Sequence, residues 1–316
     1  RVSNDGGKSF ENLRGTGRGS VHVDHHAFWI DPREPNRMYL GNDGGMYESR
    51  DRGETFRFVG TLPVAQYYHV AVDGETPYNV YGGLQDNNSW RGPSSVWQRG
   101  GIRMHHWKAV GGGDGFETLP DPQDPTKGYS LSQGGNLMRW DVVTGERRDA
   151  KPQAPAGTKL RFNWNAALAV DPFDPATVYL GSQFVHRSKD RGETWETVSP
   201  DLTTNNPEWQ KQEKSGGITL DVTAAENYTT LVTIAPSPAA KGTVWTGSDD
   251  GRVHVTRDAG ATWTSVEKAL PAGAPKNAAV AAIEPSRHDA ATAFAVLDNH
   301  RWGDFAPYVY RTDDFG

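Results

Sequence analysis

The sequence predicts an all-β fold made of repeated four-stranded units, and three observations indicate it. One turn phrase, Ser/Thr-x-Asp-x-Gly-x-Ser/Thr-aromatic, occurs four times and begins a fifth time, with its aspartate at Asp5, Asp51, Asp190, Asp258 and Asp314. Alternating apolar runs precede these copies after the first, which is the period of a β-strand. The copies recur at multiples of a roughly constant spacing, which is typical of stacked copies of one supersecondary unit.

The turn phrase has a physical logic. Its aspartate can accept hydrogen bonds from backbone N–H groups in its own loop and so close a tight turn. The glycine two residues later can adopt the positive φ that a β-carbon disfavours. The closing Phe or Trp is large enough to pack between neighbouring sheets. Each phrase therefore predicts a self-capped hairpin loop between two strands.

The spacing of the phrases predicts the architecture. Asp5 and Asp51 are 46 residues apart, and the 139 residues from Asp51 to Asp190 leave room for two further units without the phrase. We expect strands of these units at residues 79–84 and 128–131. A period near 45 residues with short strands fits a four-stranded antiparallel propeller blade. We predict a seven-bladed β-propeller with incomplete terminal blades; a six-bladed ring closed by joining the two ends is the alternative.

The domain organisation follows from the same count. We expect residues 1–316 to form a single propeller domain that is a fragment of a longer chain, with residues 1–13 ending a preceding blade. Composition agrees, because 36 Gly and 20 Pro in 316 residues indicate many turns. A net charge of −6 disfavours a nucleic-acid partner, which needs a basic stripe. The absence of Cys excludes disulfides and thiolate metal sites, and no apolar run is long enough to span a bilayer.

The turn phrase resembles the Asp-box, or BNR repeat, of sialidases, xyloglucanase-type glycosidases, sortilin-type receptors and photosystem assembly factors. Further segments resemble the large secreted bacterial proteins called BNR-repeat or sortilin-like glycosyl hydrolases. They include VHVDHHAFWIDP (21–32), NRMYLGNDGG (36–45), YGGLQDNNSWRGPS (81–94), GGGDGFE (111–117), RFNWNA (161–166), SPDLTTNNPE (199–208) and EPSRHD (284–289). The resemblance implies the second propeller of a tandem pair, a secreted or periplasmic location, and glycosidase activity by name.

A glycosidase of this kind would take its carboxylates from loops on one propeller face. Glycosidases need two carboxylates flanking the scissile bond, and the candidates are Asp86, Asp114, Glu226 and one of Asp249 and Asp250. Asp86, Asp249 and Asp250 are equally typical of aspartates that cap turns. Asp114 stands in a glycine-rich turn where backbone can approach a ligand closely. The Arg-Ile-Pro signature of sialidases is absent, which argues against that activity.

Two loops combine aromatic and amide side chains. One contains Gln85, Asn87, Asn88 and Trp90, and the other Asn163, Trp164 and Asn165. Indole faces with neighbouring amides suit a glycan, but packing between blades explains the same residues equally well.

Histidines form a further group at His22, His25 and His26 around Asp24. Their alternating spacing predicts that His22 and Asp24 lie on one face of a strand, with His25 on the opposite face. Neutral His with a carboxylate can bind zinc, yet no metal-ligand spacing supports it. We expect structural histidines, no metal and no cofactor.

Two classes of function fit these observations. The favoured one is a non-catalytic binding or scaffold module in a secreted or envelope protein, whose partner is a protein, a glycan or the remaining segments of its own parent chain. The alternative is a carbohydrate-active glycoside hydrolase with loop carboxylates on the propeller face. Fold does not decide between them, because function resides in sites carried by folds.

Overall fold

The strands form six antiparallel sheets in the computed structural model, which describes residues 1–12, 21–62, 64–211 and 227–316. We number the sheets in chain order. Sheet 1 contains β1 (His25–Ile30), β2 (Met38–Asn42), β3 (Gly45–Ser49) and β4 (Arg57–Phe58). Sheet 2 contains β5 (His69–Val72), β6 (Asn79–Gly83), β7 (Ser89–Pro93) and β8 (Lys108–Gly111). Sheet 3 contains β9 (Gly115–Asp121), β10 (Asp124–Ser132), β11 (Asn136–Asp141) and β12 (Arg147–Asp149).

The remaining sheets repeat the pattern. Sheet 4 contains β13 (Leu168–Val170), β14 (Val178–Gly181), β15 (Val185–Ser188) and β16 (Glu196–Thr197). Sheet 5 contains β17 (Leu231–Pro236), β18 (Val244–Ser248), β19 (Val253–Thr256) and β20 (Thr264–Ser265). Sheet 6 contains β21 (Ala279–Pro285), β22 (Ala293–Asp298) and β23 (Tyr308–Thr312). The described helical segments are 3-10 turns at Met104–His106, Gln133–Gly135, Glu267–Ala269 and His300–Trp302.

The predicted all-β propeller of antiparallel sheets is confirmed. Each sheet is a simple meander, in which strands adjacent in sequence pair with one another. Sheets 2 and 3 occupy the gap where two units without the phrase were predicted. Their β10 covers the expected strand at 128–131, and β6 covers the one at 79–84 except for its last residue. The described residues contain six such sheets and an isolated bridge between Val2 and Glu11. The number of blades stays a prediction.

Apolar clusters lie between successive sheets. Phe116, Tyr129 and Leu137 of sheet 3 share a cluster with Leu168 and Leu180 of sheet 4. Corresponding clusters join sheets 4 and 5, and sheets 5 and 6. Burial of such side chains is the main favourable term in folding, so the stability of the ring resides between its blades.

The meander sorts the connections onto two faces. Because the strands of each sheet are antiparallel, first-to-second and third-to-fourth connections lie at one end, which we call the turn face. Second-to-third connections and the passages to the next sheet lie at the other end, which we call the loop face. The turn phrases of Asp51, Asp190 and Asp258 join third to fourth strands and therefore lie on the turn face.

Each turn phrase closes through its aspartate in the same way. At Asp190, Oδ1 accepts hydrogen bonds from Ser188 Oγ (2.7 Å) and the Thr194 N–H (2.8 Å), and Oδ2 accepts one from Thr194 Oγ1 (2.6 Å). Matching bonds hold Asp5, Asp51 and Asp258. The side-chain bond from Thr194 is the largest of the contributions that lower the pKa of Asp190 to about 2.

The closing tryptophan of a phrase links two blades. The indole N–H of Trp195 donates to the carbonyl of Ala150 at the end of sheet 3, at 2.8 Å. Trp263 makes the equivalent bond to the carbonyl of Val198 after sheet 4, also at 2.8 Å. The phrase thus closes its own hairpin and attaches that hairpin to the preceding sheet.

Candidate functional site

Four chain segments bring carboxylates together on the loop face of sheets 1 to 3. Asp24 precedes β1, Asp43 lies between β2 and β3, Asp86 between β6 and β7, and Asp114 in the passage from β8 to β9. Oxygens of Asp24, Asp43 and Asp86 all lie within 4.8 Å of one another, and Asp114 accepts a hydrogen bond from the Asp86 N–H at 2.8 Å. We call these four residues the acidic cluster.

A tight loop presents Asp86 to the cluster. The Leu84 N–H donates to the Asn88 carbonyl at 2.9 Å, which closes the loop between β6 and β7. Asp86 and Asn88 have φ of 58° and 69°. Asp and Asn tolerate this left-handed region better than other residues with a β-carbon. The direction of the Asp86 side chain is therefore set by a left-handed backbone conformation that few other residue types tolerate.

Sheets 2 and 3 approach so closely here that only glycine fits. A β-carbon on Gly83 would lie 2.1 Å from the backbone carbon of Gly115, and one on Gly115 would lie 2.5 Å from the Asn88 carbonyl oxygen. Two backbone bonds close the contact, from the Gly115 N–H to the Leu84 carbonyl and from the Asn88 N–H to the Gly113 carbonyl. This close approach places Asp114 beside the loop that carries Asp86.

The environment moves the pKa values of two cluster members in opposite directions. Burial and the neighbouring carboxyls of Asp114 and Asp43 raise the pKa of Asp86 to about 6. A hydrogen bond from Asp86 and another from His26 lower the pKa of Asp43. His26 Nε2 lies 2.5 Å from Asp43 Oδ1. Of these two carboxyls, Asp86 is therefore the one that holds a proton more readily and Asp43 the one that stays ionised.

The histidine group sits at the edge of the cluster. The backbone carbonyl of Val23, 3.0 Å from His22 Nδ1, is the largest of the causes that raise the pKa of His22. Asp24 has a φ of 60° and precedes the strand that begins at His25. The expectation that His22 and Asp24 share one strand face is therefore wrong, because the chain bends before β1. Asp24, Asp43 and Asp86 are close enough to share a cation through carboxylate oxygens.

Three side chains of the first aromatic–amide loop form hydrogen bonds within the protein. Gln85 Oε1 accepts from the Tyr68 hydroxyl at 2.6 Å. Asn87 Nδ2 donates to the Asp43 carbonyl at 2.8 Å, and the Trp90 indole N–H donates to the Asn87 carbonyl at 2.6 Å. These bonds tie the loop to sheet 1 and hold the indole against its own loop. They hold the loop that carries Asp86 in place, and they leave these polar groups less available to bind a glycan.

The second aromatic–amide loop lies elsewhere on the loop face. Asn163 Nδ2 donates to Thr230 Oγ1 at 3.0 Å and to Asp249 Oδ2 at 3.1 Å. Trp164 packs against the core between sheets 3 and 4. The Asn165 amide lies 2.9 Å from His69 Nε2 at the start of β5, and His69 Nδ1 lies 3.2 Å from Glu117 Oε1. The amides of Asn163 and Asn165 are therefore occupied by contacts within the protein.

Asp249 and Asp250 are almost wholly buried beneath the loop face. Asp249 accepts from the backbone and side chain of Thr230, and Asp250 accepts from the backbone and side chain of Thr204. Burial, followed by the charge of Asp250, raises the pKa of Asp249 to about 7. These two residues fasten neighbouring loops and are out of reach of a ligand. Glu226, the third candidate carboxylate, lies outside the described residues.

Sequence reasoning proposed Asp86 and Asp114 but missed Asp43. The missing information is the close approach of sheets 1 to 3, since these residues are far apart in the chain.

One feature of the sequence could have indicated the cluster. Four of the segments that carry the family resemblance, residues 21–32, 36–45, 81–94 and 111–117, each contribute one member of the acidic cluster.

Comparison with known proteins finds a similar curated protein, over part of the length of this chain. No family model matches the chain. Xyloglucanase Xgh74A of Acetivibrio thermocellus is 26% identical over 211 residues, which cover 54% of this chain. The match spans only 24% of the length of that relative.

Three solved structures illustrate the similarity of fold. An ancestral GH74 enzyme is 14% identical with a TM-score of 0.49, covering 87% of this chain and 34% of that one. Sqt1 of Chaetomium thermophilum is 15% identical with a TM-score of 0.48, covering 83% and 64%. YCF48 from Cyanidioschyzon merolae is 12% identical with a TM-score of 0.45, covering 92% and 82%. Likeness at these identities concerns the fold and not the function.

Proposed function

We propose that this chain is a non-catalytic β-propeller of the Asp-box type that serves as a rigid binding or scaffold module in a secreted or periplasmic protein. One observation carries the proposal. The carboxyl group of Asp86 contacts the carboxyl groups of both Asp43 and Asp114. Glycosidases hold their two carboxyls about 5–10 Å apart so that the sugar and, in inverting enzymes, a water fit between them. Asp86 leaves no such gap to either of these neighbours.

Exposed apolar residues support a protein partner. All six residues of β1 are exposed, including Phe28, Trp29 and Ile30. Phe294 of β22 and Val309 of β23 are exposed on sheet 6. Large exposed apolar areas mark interaction sites in folded proteins. Another polypeptide, from the same parent chain or from a partner, would cover the first and last sheets in the assembly that we propose.

A glycoside hydrolase is the second candidate, and a specific observation favours it. Divergent pKa values within a carboxyl pair are how acid and base roles are divided in enzymes. Asp86, with a pKa of about 6, suits a general acid, and ionised Asp43 suits a base. The curated relative is a xyloglucanase by name. For this chain, that activity would require the cluster to open around a substrate.

Hydrolysis assays separate the two candidates. We expect the wild-type protein to release no reducing sugar from xyloglucan or from a panel of other glycans, because its carboxyls contact each other. Asp86→Asn and Asp114→Asn should behave identically to the wild type. Asp149→Asn, an exposed change outside the acidic cluster, is the matched control.

One outcome of these assays would overturn the scaffold proposal. In that outcome the wild type and Asp149→Asn both hydrolyse a glycan, and the rate of hydrolysis is at least about 100-fold lower in Asp86→Asn. A loss of this size is expected when a general acid is removed.

A further inference from the structure

Sheet 2 carries an unusual connection on the turn face. Its third and fourth strands, β7 and β8, are joined by residues 94–107, at the position where sheets 1, 4 and 5 have the turn phrase. We call this segment the long loop. It contains the 3-10 turn Met104–His106 and is closed by bonds from the Gly101 N–H to the Gln98 carbonyl and from the His106 N–H to the Arg103 carbonyl. The long loop therefore has a defined shape of its own.

The long loop is anchored at one end and displays apolar side chains elsewhere. The ring of Trp107 packs onto Gly92, where a β-carbon would lie 2.4 Å from it. Trp97, in contrast, is fully exposed, and Met104 and Ile102 are 68% and 40% exposed. Moving the apolar surface of an exposed indole out of water is favourable, and this free energy is not gained while Trp97 faces solvent. A surface that buries Trp97 would recover that energy.

The segment of the chain that contains Trp97 is basic in sequence. Residues 87–113 contain Arg91, Arg99, Arg103 and Lys108 but no Asp or Glu, although the chain has a net charge of −6. Among the described residues, no carboxylate pairs with Arg99 or Arg103. The nearby connection between β5 and β6 does contain acids, but they are occupied. Asp73 accepts hydrogen bonds from the side chains of Asn79 and Tyr81. Glu75 accepts one from the side chain of Asn79 and forms an ion pair with Arg91.

We propose that the long loop is a peripheral docking site for an anionic lipid surface. Indole rings favour the boundary between headgroups and acyl chains, and neighbouring Arg and Lys are attracted to anionic headgroups. The exposed aliphatic side chains of Ile102 and Met104 distinguish a lipid from an acidic polysaccharide, which offers them no apolar phase. The loop lies on the opposite face from the acidic cluster, so docking leaves that cluster accessible. No described helix is long and apolar enough to cross a membrane, and docking through a loop requires none.

Co-sedimentation with vesicles tests the proposal. The full chain is mixed with vesicles of phosphatidylcholine alone or with 30% phosphatidylglycerol (about one lipid in three), at low and at high salt. We expect partitioning that requires the anionic lipid and weakens with salt. Replacing both Arg99 and Arg103 by Gln should lower the partition coefficient by about 30-fold, since each cation near such a surface contributes about fivefold. Trp97→Ala should lower it further by at least tenfold.

Trp302→Ala is the matched control. Trp302 is also well exposed, at 65%, but it stands between Asp298 and Asp304. Its removal should leave partitioning unchanged. Partitioning that is equal with and without phosphatidylglycerol, or that survives both changes in the long loop, overturns the proposal. Binding to an acidic polysaccharide or protein that competes fully with vesicle binding would also overturn it, by assigning the loop to another macromolecule. Glycan hydrolysis plays no part in these readouts, so the scaffold proposal can fail without affecting them.

Discussion

Gly83→Ala is expected to lower the free energy of unfolding by more than about 3 kcal/mol. The new β-carbon would lie 2.1 Å from the backbone carbon of Gly115 and 2.4 Å from its carbonyl oxygen. A side chain can rotate away from such a clash, but here both obstacles are backbone atoms of a paired strand. Sheets 2 and 3 would have to separate. Denaturant unfolding followed by circular dichroism measures the loss.

A matched glycine separates this steric effect from the general consequences of replacing glycine. Gly74 lies in the connection between β5 and β6, where an added β-carbon meets no atom within 4 Å and φ is not positive. We expect Gly74→Ala to change the unfolding free energy by no more than about 0.5 kcal/mol. Equal effects of the two substitutions would show that sheets 2 and 3 are not in contact at Gly83 and Gly115.

Asp249→Asn is expected to change how stability depends on pH. The folded protein holds the pKa of Asp249 at about 7, against 3.8 for an unperturbed aspartate. Between these values the unfolded state releases a proton that the folded state retains, so the contribution of Asp249 to stability falls as pH rises from about 4 to about 7. One pKa unit corresponds to about 1.4 kcal/mol. The unfolding free energy of the wild type should therefore decline by about 2–4 kcal/mol relative to Asp249→Asn across this range.

Comparison with the variant is needed because other carboxylates act in the opposite sense. Asp5, Asp190 and Asp258 have pKa values lowered to about 2 by hydrogen bonds in their turns. Their contribution is present above about pH 4 and is lost on acidification, and it cancels in the difference between wild type and variant. Parallel pH profiles for wild type and Asp249→Asn would mean that Asp249 is not held protonated by burial.

The sequence predicted the repeating part of the fold because that part is local. A turn phrase needs only eight neighbouring residues to form its bonds, so Asp190 and Thr194 can be recognised together from the sequence. The two units without the phrase were placed by spacing and by their strand patterns, and they correspond to sheets 2 and 3. The phrase does not specify how the ring closes, and so the sequence did not decide the number of blades.

The candidate site was predictable only in part because it is assembled over long sequence distances. Asp86 and Asp114 were recognisable from their Asn- and Gly-rich loops. The contact of Asp86 with Asp43 depends on how sheets 1 and 2 lie together, which no local pattern reports. The bend at Asp24 was missed for a related reason, since strand periodicity assumed extended backbone where φ is 60°. The roles of Asn87 and Asn163 as ties between blades likewise required the structure.

The most direct test of the acidic cluster is a carbon-13 NMR titration of the aspartate carboxyl groups in the intact chain. The contact of Asp86 with Asp43 and Asp114 predicts a signal that titrates near pH 6, is lost in Asp86→Asn and shifts to lower pH in Asp114→Asn. Asp249 supplies an internal reference, with a signal near pH 7 that both variants keep. If the carboxyl group of Asp86 instead titrates near pH 4 and does not respond to Asp114→Asn, the four segments do not meet and the acidic cluster does not exist as described.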